Sequence, residues 1–254
     1  MIAAESGHWY TETGAPCYEV PNKSKPGQMR QVTLTDARKL NLFPSVTTIL
    51  KMAAKPGLEI WKQKQMLLAA LTLPKIEGET LDQFAERVVK DAAHEAEVKR
   101  DIGKQIHAEI EKAIENAVSG QDYDPKYRQH VYGSMLAIDQ FGKFHSEKSF
   151  SHRLGYGGKV DLHNDNVLID IKTTEFGKDD LKTLFDEHKM QLSAYAHGLG
   201  LHCRKFILFV STSEPGLVRL VEHTEHDKAL KMFLCLLSYY QAKNNYYPEM
   251  KNGH

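Results

Sequence analysis

The sequence contains few cysteines and no long hydrophobic run. Its 254 residues include three cysteines, Cys17, Cys203 and Cys235, with no two close together. Three are too few for a four-cysteine iron–sulfur cluster, and the spacing fits no zinc site, so reduced thiols and no cluster are expected. No apolar run approaches the roughly 20 residues that a membrane helix needs, which predicts no membrane association. These absences exclude a disulfide scaffold and a membrane span.

The chain also lacks an excess of either charge. Lys and Arg total 33, and Asp and Glu total 33, so the formal net charge is zero. That balance argues against a protein that coats nucleic acid by charge alone. The first residues, MIAAESGHWYTETG, show no basic segment followed by an apolar stretch, so they predict no secretory signal and a cytoplasmic protein.

The first part of the chain is predicted to be mainly helical. Residues 1–43 look irregular, and VPNKSKPGQ is typical of a loop or short hairpin because of its Pro, Gly and Asn. FPSVTTILKMA predicts a helix start, with Ser45 as the N-cap. Further helices are expected over LEIWKQKQMLLAALTL up to Pro74, from Leu81 to about Val118 ending at Gly120, and over PKYRQHVYGSMLAIDQFGKFH, opened by Pro125.

The pattern changes to strands after residue 145. KSFSHRLGYGGKVDLHN and VLIDIKTT predict strands joined by a turn at 164–166, and a helix is expected over about 179–199. KFILFVSTSE and LVRLVEHT predict two more strands, and HDKALKMFLCLLSYYQAKNN predicts a closing helix. We therefore expect one α/β domain over 1–254, with a helical part at 1–145 and a core at 146–254.

Acidic and basic residues interrupt two strands that otherwise look buried. Alternate side chains share a face of a strand, so Val167, Ile169 and Ile171 should oppose Leu168, Asp170 and Lys172. In the preceding strand, Val160 and Leu162 should oppose Lys159, Asp161 and His163. If the strands pair through the short turn, Asp161 and Asp170 converge.

Two converging carboxylates need a cation or a proton between them. At about 4 Å and an effective dielectric of 20 they repel by roughly 4 kcal/mol. A divalent metal would remove this repulsion, and protonation of one carboxyl is the alternative. For an Asp-Ile-Lys tripeptide on an exposed strand, the simpler interpretation is a surface ion pair worth about 0–1 kcal/mol.

Two helices offer further candidates. IGKQIHAEIEKAIE is amphipathic, with a predicted buried stripe of Ile102, Ile106, Ile110, Ala113 and Ala117. His107 lies beside that stripe, one turn after Gly103, which would let the helix approach another segment closely. Neutral imidazole is a common metal ligand, whereas an isolated histidine is usually packed or solvated. Glu111, one turn further, is a candidate for the outer part of such a site.

Gln191 and Tyr195 are four residues apart and share one face of the later helix. A glutamine amide beside a site can bond a phosphate or orient a water, and a tyrosine can stack or donate a hydrogen bond. Ordinary helix packing is the alternative for this pair.

Taken in order, these residues resemble a known family. Gly103 and His107, then Gly158-Lys159-Val160-Asp161, then Asp170-Ile171-Lys172, then Gln191-x-x-x-Tyr195 are similar to the motifs of PD-(D/E)XK nucleases of the RecB-like branch. That branch includes phage and prophage exonucleases and the mitochondrial genome maintenance exonuclease. The similarity covers about 44–199 and includes the segment PSVTTIL. Val160 replaces the proline of the family name, and the cysteines of the iron–sulfur members are missing.

The resemblance implies a restriction-endonuclease-like α/β core, a central mixed sheet flanked by helices, with a large helical N-terminal part. It implies that His107, Asp161, Asp170 and the backbone carbonyl of Ile171 bind Mg²⁺ or Mn²⁺. Lys172 would position or activate the attacking water and stabilise the transition state. Gln191 and Tyr195 would support the site and touch the nucleic acid.

The expected function is a metal-dependent deoxyribonuclease, an exonuclease acting from DNA ends in phage or prophage recombination. Its partners would be single- or double-stranded DNA ends and a recombination protein, in the bacterial host cytoplasm if it is phage-encoded. Two alternatives stay open at this point: a non-catalytic protein that binds DNA ends on the same fold, and a structure-specific endonuclease. If the protein is a nuclease, few protein ligands would suffice to bind magnesium, because Mg²⁺ prefers oxygen ligands and retains several waters.

Overall fold

The computed structural model of the protein describes residues 7–119 and 123–251, apart from the side chains of 95 and 116–119. The expected helix end at Gly120 and the expected burial of Ala117 therefore lie outside the described residues. The described helices and strands, in chain order, are β1 (Trp9–Tyr10), β2 (Glu19–Pro21), β3 (Met29–Gln31), α1 (Leu34–Leu40), β4 (Phe43–Pro44), α2 (Val46–Leu50), α3 (Pro56–Thr72), α4 (Leu81–Ser119), α5 (Arg128–Ile138), β5 (His145–His152), β6 (Tyr156–His163), β7 (Val167–Thr174), α6 (Asp186–Leu199), β8 (Arg204–Ser211), β9 (Val218–His223) and α7 (His226–Asn244).

Local signals account for several of these elements. Ser45 caps α2 as predicted, because its Oγ accepts a hydrogen bond from the Thr48 backbone N–H at 3.0 Å. Strands β2 and β3 pair as the short hairpin expected around VPNKSKPGQ. The turn between β6 and β7 is made by Asn164, whose Oδ1 accepts from the backbone N–H groups of Asn166 and Val167.

Three expectations about secondary structure were wrong. The segment before residue 43 contains helix α1, which Thr33 and Asp36 open with a reciprocal capping box. The stretch expected as one strand from Lys148 is a hairpin of β5 and β6, with Gly155 at φ +89° in the turn. Helix α6 begins at Asp186 and not near 179, because the preceding residues form a turn in which Asp180 Oδ2 accepts from the Gly177 N–H.

The chain has the predicted α/β fold, a mixed sheet between helical layers. Among the described residues the central sheet has the strand order β5-β6-β7-β8-β9. Strands β7 and β8 are parallel, and the other neighbouring pairs are antiparallel. Leu168 packs with α2, α6 and α7 on one face, whereas Val167, Ile169 and Ile171 pack with α4 and α5 on the other. The alternation predicted for β7 is confirmed, but helices cover both of its faces.

The ladder between β6 and β7 is short, and this positions the site. Its backbone pairing is limited to Leu162 with Ile169 and His163 with Leu168. Beyond Leu162 the two strands separate, and the Asp161 side chain takes the place of the missing ladder bond. Val160 and Leu162 were expected on one face, but they pack in different hydrophobic clusters on opposite sides of the sheet. The change of side falls at Asp161, next to the end of the ladder.

Helix α4 crosses the sheet close to the end of β7. A Cβ atom at Gly103 would lie 2.5 Å from Thr173 Oγ1, so only glycine permits this separation. Ile106, Ile110 and Ala113 of the predicted stripe are buried against the sheet. Ile102 is 39 % exposed, so its predicted burial was wrong. At that turn of α4 the buried position is Gly103, which lies against Thr173, and Ile102 lies beside the buried face.

Candidate active site

Asp161 joins strand β7 to helix α4 through one carboxylate oxygen. Its Oδ2 accepts a hydrogen bond from the Ile171 backbone N–H at 2.7 Å and lies 3.1 Å from His107 Nε2. The first contact exists because β6 leaves the ladder and frees the N–H of Ile171. The second exists because Gly103 lets α4 come down onto β7. Tertiary packing therefore brings together residues 54 positions apart.

Glu111 completes a compact group of possible metal ligands. His107 Nδ1 lies 3.4 Å from Glu111 Oε1, one helical turn further along α4, which is long for a hydrogen bond. One ligand atom from each of His107, Glu111 and Asp161 lies within 4.8 Å of the others. The sequence placed Glu111 at the outside of the site, whereas the structure makes it a candidate ligand. The sequence feature that could have identified Glu111 as a ligand is its i, i+4 spacing from His107, which places both side chains on one face of α4.

Asp170 occupies a second, fully enclosed part of the site. It is 2 % exposed, with its Oδ1 accepting from Gln191 Nε2 at 2.7 Å and its Oδ2 lying 2.8 Å from Lys172 Nζ. The second N–H of the same Gln191 amide donates to Tyr195 Oη at 3.0 Å. The Lys172 side chain is 32 % exposed as a whole, and its ammonium pairs with the enclosed carboxylate of Asp170.

The electrostatics of the Asp161 group favour a charged pair. Burial lowers the pKa of His107, but its bonds to Asp161 and Glu111 outweigh this and raise the pKa to about 10. Burial raises the pKa of Asp161, and the hydrogen bond and charge of His107 outweigh this and lower it. Without a metal, His107 is therefore an imidazolium and Asp161 a carboxylate at neutral pH.

Asp170 has the opposite shift. Burial raises its pKa to about 6, with the charge of Asp161 adding to the rise and Lys172 opposing it. Lys172 stays charged, because the carboxylates of Asp170 and Asp161 outweigh burial and raise its pKa. Burial, with the charges of both aspartates, also raises the pKa of Tyr195 well above its usual value, so this phenol keeps its proton. Two carboxylates with divergent pKa values in one enclosed site are typical of functional groups.

These residues fit a divalent cation. The donors are carboxylate oxygens and one imidazole, which suit Mg²⁺ or Mn²⁺. A cation bound by His107, Glu111 and Asp161 would replace the His107 proton that now offsets the two acids. It would also relieve the effect of the Asp161 charge on Asp170. No contact in the structure tests the Ile171 carbonyl as a ligand, which stays a prediction.

The structure brings most of the site residues predicted from the sequence close together. Two residues expected on the same face of β6 as Asp161 lie outside this site. His107 and Asp161 form one bonded group, and a second group consists of Asp170, Lys172, Gln191 and Tyr195; the charge of Asp161 acts on both Asp170 and Lys172. Lys159 instead pairs with Glu147, and the His163 ring lies 5.6 Å from that of His145.

Gln191 and Tyr195 are each 5 % exposed. Both donors of the Gln191 amide are engaged by the protein. This favours a supporting role for the pair.

The N-terminal segment contributes residues that sequence analysis missed. Tyr10 Oη lies 3.0 Å from Tyr18 Oη. Burial and the bond to Tyr18 raise the pKa of Tyr10, and the charge of Asp161 adds to the rise. No sequence signal linked this irregular-looking segment to strand β6, because the connection is made by the pairing of β1 with β4 and by the packing of both on β6.

Comparison with known proteins gives low similarities. No protein-family model matches the chain, and no curated protein matches it. Among solved structures, it is similar to the "Putative exonuclease" from Eubacterium rectale, at 13 % identity and a TM-score of 0.41, over 58 % of this chain and 70 % of that one. It is also similar to an alkaline exonuclease from Laribacter hongkongensis, at 14 % identity and a TM-score of 0.34, over 54 % and 77 %. Similarities this low leave the chemistry to be judged on the residues of this chain.

No helix among the described residues is both long enough and apolar enough to cross a membrane.

Proposed function

We propose that this chain is a metal-dependent deoxyribonuclease, an exonuclease that hydrolyses phosphodiester bonds from DNA ends. The observation that supports this most directly is the buried carboxylate of Asp170, held between Lys172 and Gln191 beside the group formed by His107 and Asp161. Burying a carboxylate with a raised pKa is costly for folding, so such a group is typical of a functional site. The set matches the PD-(D/E)XK motifs that the sequence resembles.

Each residue has a defined role in this proposal. His107, Glu111, Asp161 and Asp170 would hold the cation, with the carbonyl of Ile171 as a further ligand. When bound, Mg²⁺ or Mn²⁺ lowers the pKa of water and neutralises charge on the phosphate. Lys172 places an ammonium where negative charge develops on the phosphate and the attacking oxygen. Gln191 holds Asp170 in one orientation and is itself held by Tyr195.

The proposal extends to the organisation and setting of the chain. Residues 1–254 form one nuclease domain, in which the mainly helical part at 1–145 supplies His107 and Glu111 to the catalytic α/β core at 146–254. Its substrate is DNA with an end, processed during phage or prophage recombination together with a partner protein in the bacterial cytoplasm.

The test is degradation of oligonucleotides labelled at the 5′ or the 3′ end, with Mg²⁺, Mn²⁺ or EDTA. We expect cutting with either metal and none with EDTA, and no cutting by Asp170→Asn. Asp165→Asn is the matched control, because Asp165 is an exposed aspartate in the turn between the same two strands. If Asp170→Asn degrades DNA as fast as Asp165→Asn does, the assigned site is wrong.

A second assay tests the requirement for DNA ends. Linear plasmid should be degraded, whereas covalently closed circular plasmid should survive. Nicking of the circle at a similar rate would identify an endonuclease and contradict the exonuclease assignment.

A further inference from the structure

A groove leads from solvent to the possible metal ligands. We call it the α3–α4 groove and define it by Leu58 and Trp61 of α3, Lys99, Arg100 and Lys104 of α4, and His107 at its floor. The end of β7 forms the remaining wall, and the volume is about 680 Å³. A space of this size lies within the range of ligand sites in proteins. The groove ends at the group that the proposed function uses.

One wall of the groove is basic. Arg100 and Lys104 precede His107 on α4 by seven and three residues, which corresponds to about 10 Å and 5 Å along the helix axis. Lys104 and Lys99 have surface ion pairs, with Asp101 at 3.3 Å and Glu175 at 3.1 Å. Exposed pairs of this kind are weak and exchange readily for a phosphate. Within the described residues Arg100 pairs with no acid, so its guanidinium is available.

The opposite wall carries an aromatic ring. Trp61 is 38 % exposed at the groove, whereas Trp9, the other tryptophan of the chain, is 3 % exposed. The exposed indole presents an aromatic face at the groove, on which a planar group can stack. Two alanines of α4, Ala96 and Ala108, also line the groove with short side chains.

We propose that the α3–α4 groove binds DNA as a single strand, with a base stacked on Trp61 and the backbone along Arg100 and Lys104. A basic track combined with an aromatic face is the combination that binds unpaired strands. In a duplex each internal base is already stacked on its neighbours and presents no face to an indole. This inference rests on the proposed nuclease function and adds its substrate class: the strand reaches His107 unpaired.

The first test is fluorescence in EDTA, where no cutting occurs. Oligo(dT) of 20 nucleotides should quench Trp61 in the parent and leave Trp61→Phe unchanged, because the remaining Trp9 is buried. A blunt 20-base-pair duplex at the same concentration should quench at least fivefold less. Equal quenching by duplex and single strand would overturn the proposal.

The second test measures affinity by anisotropy of labelled oligo(dT). Trp61→Ala should weaken binding by about 5- to 150-fold, the range for loss of one stacked base, and Trp61→Phe should recover part of it. Arg100→Ala should reduce the slope of log K against log salt by about 0.7, one phosphate contact. Leu71→Ala is the control, since Leu71 lies on α3 and is 74 % exposed outside the groove. Unchanged affinity in Trp61→Ala would refute the inference.

The two proposals fail in different ways. If the protein cuts DNA with Mg²⁺ but shows no preference for single strands in EDTA, the proposal of single-strand binding in the α3–α4 groove is refuted and the nuclease proposal stands. If the protein binds oligo(dT) through Trp61 but cuts no DNA with any metal, the single-strand binding proposal stands and the nuclease proposal is refuted.

Discussion

The approach of α4 to β7 leads to a quantitative prediction for Gly103→Ala. The new Cβ would lie 2.5 Å from Thr173 Oγ1 and 3.4 Å from Thr173 Cβ, so either α4 or Thr173 must shift. His107 is one turn further along the same helix and depends on this separation for its 3.1 Å contact with Asp161.

Two effects of opposite sign determine how much Gly103→Ala changes the free energy of unfolding. Replacing glycine by alanine inside a helix stabilises it by about 1 kcal/mol. Overpacking a tight contact costs about 1–3 kcal/mol, so the free energy of unfolding should change by about 0 to −2 kcal/mol. The matched control is Gly57→Ala in α3, where a Cβ meets nothing within 4 Å and the change should be neutral or up to about 1 kcal/mol stabilising. Displacement of His107 should also weaken Mn²⁺ binding by about 10- to 100-fold.

Denaturant unfolding and Mn²⁺ titration measure both effects. The double variant Gly103→Ala with Thr173→Ala removes Oγ1, so it should recover stability and metal affinity relative to Gly103→Ala alone. If Gly103→Ala is as stable as Gly57→Ala and binds Mn²⁺ like the parent, the close approach does not position His107, and the reasoning fails.

Three further predictions concern the charged groups. The pKa of Asp170 is raised from 3.8 to about 6, so the free energy of unfolding of the parent, relative to Asp170→Asn, should fall by about 2 kcal/mol as the pH rises from 4 to 6; parallel curves would contradict this. The pKa of His107 is raised from 6.5 to about 10, so its stabilisation of the metal-free protein is complete below pH 6.5 and lost towards pH 10. Thermal unfolding of the parent should show this loss, and His107→Gln should not. Lys172→Met should lower kcat by about 10²–10³-fold, and recovery of cutting at higher pH would argue against an electrostatic role.

Predictions from local patterns were the most accurate. The N-cap at Ser45, the turn at Asn164 and the alternation along β7 depend on neighbouring residues in the chain, and each is present in the structure. The start of α6 and the hairpin at Gly155 were misplaced, because turn chemistry competed there with an apparently continuous pattern.

The sequence by itself determined which chemical groups the protein has for a site: an acid in one strand, an acid and a lysine two residues apart in the next, and a histidine beside the buried stripe of a helix. Only the tertiary structure decided which of these side chains contact one another and that they form two separate clusters. Asp161 joins His107 and Glu111 because the β6–β7 ladder ends early, while Asp170 is enclosed with Lys172 beneath α6. Alternation and helical periodicity are local properties of the backbone and can be recognised in sequence, whereas the end of a ladder and the separation of two layers depend on packing between distant segments.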